Sequence, residues 1–111
     1  MITREVRFED ELLISELLTR NGLISNHSER TWNRLWSNNP AYFEKWPLGW
    51  VLEENNKIMG YMGNIPLRYY MNGRLIKVAC GHGYAVDPEA RSYSLKLLAS
   101  FFSQKHLFVQ H

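Results

Sequence analysis

The hydrophobic positions along the chain follow two different periods. Leu13, Ile14, Leu17 and Leu18 recur at helical spacing, a stripe that predicts a helix with one buried face. Asp10 precedes it, where a carboxylate can accept from the free amides of a first turn. Asn21-Gly22 is a natural stop, because glycine tolerates the left-handed conformation that ends helices. Ahead of this helix, Thr3 to Phe8 predicts a short strand with Val6 and Phe8 on one face. Behind it, Ser28 is expected to cap a second helix carrying Trp32, Leu35 and Trp36. That helix should halt near Asn38-Asn39-Pro40, since the residue before a proline is pushed out of the α region.

From Gly49 onward the period is two. Trp50 to Glu54 predicts a strand, Asn55-Asn56-Lys57 a turn, and Lys57 to Met71 a long second strand. Asn72-Gly73 is a hairpin signal, because both residues tolerate the positive φ of a type I′ turn. Arg74 to Val86 is the returning strand, with Ile76, Val78, Cys80, His82, Tyr84 and Val86 expected on one face. Pro66, Gly81 and Gly83 mark expected breaks or bulges in this ladder. Asp87 to Arg91 reads as a loop, and Ser92 or Ser94 as the cap of a helix reaching about Gln104. Its expected apolar face is Leu95, Leu98, Phe101 and Phe102, and His106 to His111 opens a further strand. This order predicts an α/β (α+β) fold: a mixed, mainly antiparallel sheet flanked by helices, the last helix crossing over to another strand.

Composition bounds this picture. With 111 residues, of which 45% are hydrophobic and 22% charged, the chain suits a single globular domain. A net charge of +2, with basic residues scattered rather than striped, gives no field for a nucleic-acid or anionic-membrane partner. The lone cysteine, Cys80, excludes an internal disulfide and points to a reducing compartment. Met1 to Glu5 becomes charged at once, and no apolar run approaches the roughly 20 residues of a bilayer span, so a cytoplasmic protein is expected.

Two segments then carry a resemblance. Gly49 to Glu54 through Gly60 is similar to the second and third strands of the GNAT (GCN5-related) N-acetyltransferase superfamily. Ala85-Val86-Asp87-Pro88-Glu89-Ala90-Arg91, followed by a Leu-Leu-containing helix, resembles that family's strand running into a coenzyme A loop. The family writes this loop Q/R-x-x-G-x-G/A and wraps it around the pyrophosphate of acetyl-CoA. A helix N-terminus supplies unpaired N–H groups and partial positive charge for such an anion, and glycines let the backbone approach it. Arg91-Ser92-Tyr93-Ser94-Leu95-Lys96 keeps the arginine but has Ser94 and Lys96 where the motif has small residues. The serine hydroxyl can donate to a phosphate, and the lysine ammonium can reach one as a point charge. The resemblance thus implies acetyl-CoA as co-substrate, held by Tyr84, Val86, Arg91, Ser92, Tyr93, Ser94, Leu95 and Lys96.

It also implies direct transfer, in which a small-molecule or peptide amine attacks the thioester while a general base takes its proton. Histidine titrates near neutral pH, so His82 is the candidate base; a histidine beside Gly81 and Gly83 can equally be filling space. Cys80 has no charged activator adjacent in sequence and reads as an inert thiol. The tyrosine that the family uses as acid would fall after His111. His27, His106 and His111 have no metal-ligand spacing, so no metal is assigned. Trp32 and Trp36 read as core, whereas Tyr42, Phe43 and Trp46 lie in a loop and suit an acceptor pocket or an interface. A non-catalytic module of the same fold, for ligand sensing or protein interaction, is the alternative that Ser94 and Lys96 leave open. A domain incomplete at its C-terminus would expose a sheet edge, so a homodimer or a longer parent chain is expected.

Overall fold

The computed structural model describes residues 1–23, 32–43, 45–104 and, for the backbone, 107–110. Five strands form one sheet in sequential order: β1 (Ile2–Glu5), β2 (Gly49–Glu54), β3 (Lys57–Met71), β4 (Arg74–Val86) and β5 (Leu107–Gln110). β1 to β4 are antiparallel, and β5 runs parallel to β4. Helix α1 (Glu11–Arg20) packs on β3 and β4, while α2 (Ser94–Phe102) packs on β2 and β3. This is the expected mixed, mainly antiparallel sheet with flanking helices. Ser28, His27, His106 and His111 lie outside the described residues.

Local turn chemistry sets the hairpins. Asn72 and Gly73 both have positive φ (53° and 75°), the type I′ signature that pairs Met71 with Arg74. Asn55 and Asn56 do the same between β2 and β3 (51° and 62°), so Lys57 begins the strand. Gly22 ends α1 at φ 80°.

Several expectations need correction. β1 stops at Glu5, because the Asp10 carboxylate accepts from the Arg7 N–H (2.7 Å) and bends residues 8–10 into a 3-10 turn. Val6 is buried but Phe8 is largely exposed, edge-on to Trp32. Asp10 therefore does not cap α1. Arg4 donates to it (2.8 and 3.0 Å) and to Glu53 (3.1 and 3.2 Å), tying β1 to β2 and to the start of α1. In α1, Ile14, Leu17 and Leu18 are buried and Leu13 is not. Residues 33–37 form a π-helical turn that places Trp32 and Trp36 in the core, with rings 4.9 Å apart.

Neither Ser92 nor Ser94 caps α2 with its side chain. A 3-10 helix over Pro88–Tyr93 leads straight into α2, in place of the expected loop. That lead-in fixes the rotation of α2, so Ala90, Leu97 and Phe101 are buried while Leu95 is 74% exposed. Phe101 packs edge-on against Trp50, and a Cβ on Gly60 would lie 3.2 Å from Leu97. The bulge falls at Gly83 (φ 73°), where the β3–β4 register shifts between Tyr61 and Gly63. Pro66 and Gly81, by contrast, stay in the ladder.

The β2–β3 ladder ends at Gly63; beyond it the Asn64 N–H donates to the Leu48 carbonyl (2.9 Å), and the carbonyls of the β3 edge are met by side chains. The indole N–H groups of Trp36 (2.9 Å) and Trp46 (2.8 Å) both donate to the Asn64 carbonyl, and Asn39 donates to the Pro66 carbonyl (2.7 Å). Pro66 has no N–H to satisfy on that edge. The fully buried Asn64 side chain donates to the Pro47 carbonyl (2.9 Å) and exchanges hydrogen bonds with the Gln104 amide (2.9 and 3.1 Å). Every polar atom of this residue thus has a partner, the condition for burying an amide.

Candidate active site

The bulge at Gly83 breaks the alternation of β4 and turns its last residues toward α2. Tyr84, Ala85 and Val86 form one wall of a cleft of about 410 Å³. Arg91 and Ser94, at the start of α2, form a second wall, and Asn21 and Leu23, just after α1, a third. β4 pairs with β5 only from Val78 to Gly81. Among the described residues no strand pairs with that edge of β4 past Gly81.

An ion pair built on a buried carboxylate fixes the corner from which α2 starts. Asp87 is 4% exposed; its N–H donates to the Met59 carbonyl (2.8 Å), and its carboxylate accepts from Arg20 (2.6, 3.0 and 3.2 Å) and Asn21 (2.8 Å). Arg20 also donates to the Ile58 carbonyl (2.7 Å). Burial alone would raise the Asp87 carboxyl, but the hydrogen bonds from Arg20 and Asn21 outweigh it and hold the group below the usual carboxylate range. Asp87 thereby locks the end of α1 to the exit of β4, and Arg91 and Ser94 follow within two turns.

Four of the sequence-predicted cofactor residues, Tyr84, Val86, Arg91 and Ser94, meet at this cleft. Ser92, Tyr93, Leu95 and Lys96 do not line it: the Lys96 ammonium sits 5.2 Å from the centre of the Tyr93 ring, and Leu95 faces solvent. His82 is exposed on β4, opposite Gly63 in the register. Cys80 is buried, and burial pushes its thiol up, which suits packing rather than nucleophilic attack. Sequence reasoning missed Asn21, Leu23 and Ala85 as lining residues; Asn21-Gly22 carries only a helix-stop signal.

Tyr42 and Trp46 line a second cleft of about 490 Å³ with Glu5, Arg7, Phe8 and Lys45, at the β1 side of the sheet. Trp46 is nonetheless buried, its ring edge-on to Phe43. Among the described residues, no three His, Cys, Asp or Glu side chains group as metal ligands, and no helix is long and apolar enough to cross a membrane.

The chemistry of the first cleft suits an elongated anion. Arg91 is a guanidinium with fork-like donors, Ser94 a small hydroxyl, and the first turn of α2 the positive end of a helix dipole. The β4 backbone along Tyr84 to Val86 lines this cleft, where an extended chain can meet it as a further strand would.

No protein-family model matches the sequence, and no curated protein matches it either. Solved structures do match. Glucosamine-6-phosphate N-acetyltransferase from Arabidopsis thaliana superposes with TM-score 0.67 at 13% identity, over 99% of this chain and 80% of that one. A predicted acetyltransferase from Clostridium acetobutylicum, solved with acetyl-CoA, gives 0.64 at 17% identity, over 99% and 79%. A GCN5-related N-acetyltransferase from Kribbella flavida gives 0.63 at 14%, over 90% of this chain and 26% of that one. The chain therefore has the fold of the GCN5-related N-acetyltransferases.

Proposed function

We propose that this chain is an acyl-CoA-dependent N-acyltransferase that uses acetyl-CoA and passes its acetyl group to an amine by direct attack. The observation that carries the proposal is the meeting of Tyr84, Val86, Arg91 and Ser94 at one cleft. Acetyl-CoA supplies the thioester as acyl donor. Arg91 and Ser94 bind its phosphate oxygens, and the β4 backbone along Tyr84 to Val86 hydrogen-bonds its amide-bearing arm. A β4 N–H beside the reacting carbonyl stabilises the charge that develops there. His82, exposed on the same strand, takes the proton of the incoming amine. The amine is a small molecule or a peptide, and the setting is cytoplasmic.

A second reading, a ligand-sensing or interaction module of the same fold, is favoured by Ser94 in a glycine position and by Lys96 turned onto Tyr93. Calorimetric titration with acetyl-CoA, followed by release of free thiol across an amine panel, decides between them. Saturable binding is expected, weakened about tenfold to a hundredfold by Arg91→Ala and abolished by Ser94→Trp. Binding without transfer to any amine selects the sensing module. Absence of binding at about millimolar acetyl-CoA overturns the acyltransferase reading.

A further inference from the structure

The second cleft is larger than the first, about 490 Å³ against 410 Å³, and no step of the proposed acetyl transfer uses it. It lies at the β1 edge of the sheet, three strand spacings from the β4 wall of the first cleft, or about 14 Å. Three rings line it. Trp46 is buried, its indole N–H held by the Asn64 carbonyl, and Tyr42 is half-buried. Phe8 is carried out of the sheet by the 3-10 turn that Asp10 organises, and it remains 42% exposed at the cleft. Apolar walls with a few polar groups among them are the ordinary make-up of a small-molecule site.

Those polar groups carry both signs. Glu5 and Arg7 are alternate residues of one extended segment, about 7 Å apart along it, and Lys45 approaches from another segment. All three are exposed. Among the described residues neither Glu5 nor Lys45 has an ion-pair partner, although both line the same cleft. Arg7 has a loose contact with Glu9 (3.7 Å), worth little between exposed groups. A plain anion would meet Glu5 as a like charge, and a plain cation would meet Arg7 and Lys45 so. We infer that this cleft binds a free α-amino acid with an aromatic side chain. The ring packs against Phe8, Tyr42 and Trp46, the ammonium donates to Glu5, and the carboxylate accepts from Arg7 and Lys45. In such a zwitterion both charges sit on one carbon. With a hydrogen bond of about 2.8 Å on either side, they bridge roughly the Glu5 to Arg7 spacing.

Titration with L-phenylalanine, followed by two-dimensional proton–nitrogen NMR, tests this. Saturable shifts are expected at the Trp46 indole and at the Arg7 and Lys45 amides, with a Kd of about 1 mM or tighter, and not at Arg91 or Ser94. Phenethylamine lacks the carboxylate and 3-phenylpropionate lacks the ammonium, so each should bind at least about threefold more weakly. Glu5→Gln should bring 3-phenylpropionate level with phenylalanine. The chain carrying Arg7→Gln and Lys45→Gln should do the same for phenethylamine. Circular dichroism melting checks that these surface variants stay folded, and the comparison of the three probes on the wild type stands without them. No saturation by about 10 mM overturns the inference, as do shifts gathered at Arg91 and Ser94. Either truncated probe binding as tightly as phenylalanine, or preferences unchanged in both folded variants, also overturns it.

Discussion

Asp87→Asn isolates the ion pair on which the cleft rests. The substitution keeps the shape of a side chain that is 4% exposed but removes the charge that holds Arg20 and Asn21. Breaking a fully buried pair costs about 3–5 kcal/mol, because the remaining charge stays desolvated. Here the Arg20 side chain is 35% exposed, so water recovers part of that penalty, and the asparagine oxygen still accepts one bond. A loss of about 2 kcal/mol follows. For a domain of this size that lowers Tm by about 10 °C. Urea unfolding reads it as a shifted midpoint with unchanged slope. The dependence on pH supplies the sharper check. The folded pKa of Asp87 lies below its unfolded value, so its contribution is complete above about pH 4 and fades as pH falls through the lowered value. The gap between wild type and Asp87→Asn should therefore narrow on acidification. A gap under about 0.5 kcal/mol at neutral pH, or one that stays constant into acid, refutes the assignment.

Two further outcomes follow from packing. Gly63→Ala would set a Cβ against the Tyr61 hydroxyl and 2.5 Å from the His82 carbonyl, a backbone atom that cannot yield, so about 3 kcal/mol should be lost. An unfolding midpoint close to wild type would show that the bulge at Gly83 relaxes freely. Cys80 should resist a thiol reagent in the native protein and react only on unfolding, and rapid native labelling would contradict its burial.

How much of this was legible in the sequence depends on where the controlling interaction lies. β3 and β4 begin and end where Asn56, Asn72 and Gly73 demand, because their turn conformations are decided by adjacent residues. The rotation of α2 was misread, with Leu95 for Leu97, since it is imposed by a 3-10 lead-in that leaves no periodic trace. Arg91 and Ser94 were found by motif. The residue that positions them was not: Asp87 meets Arg20 across 67 positions, and each looks ordinary among its sequence neighbours. Trp46 read as a pocket or interface residue and does line the second cleft, but its anchor, the Asn64 carbonyl, is a main-chain group that no side-chain pattern reports.

The indoles at that carbonyl have a consequence for how the sheet ends. A strand with an open edge is a template, because each unpaired N–H and C=O invites a partner that presents a new edge of its own. Past the one backbone bond from Asn64 to Leu48, Trp36, Trp46 and Asn39 meet β3 with single side-chain donors, and Pro66 withholds its amide. Such a seam cannot be copied outward. The side chains of Trp36, Asn39 and Trp46 thus terminate the sheet, while the carbonyls of Pro47 and Leu48, which accept from Asn64, fix the backbone that follows them.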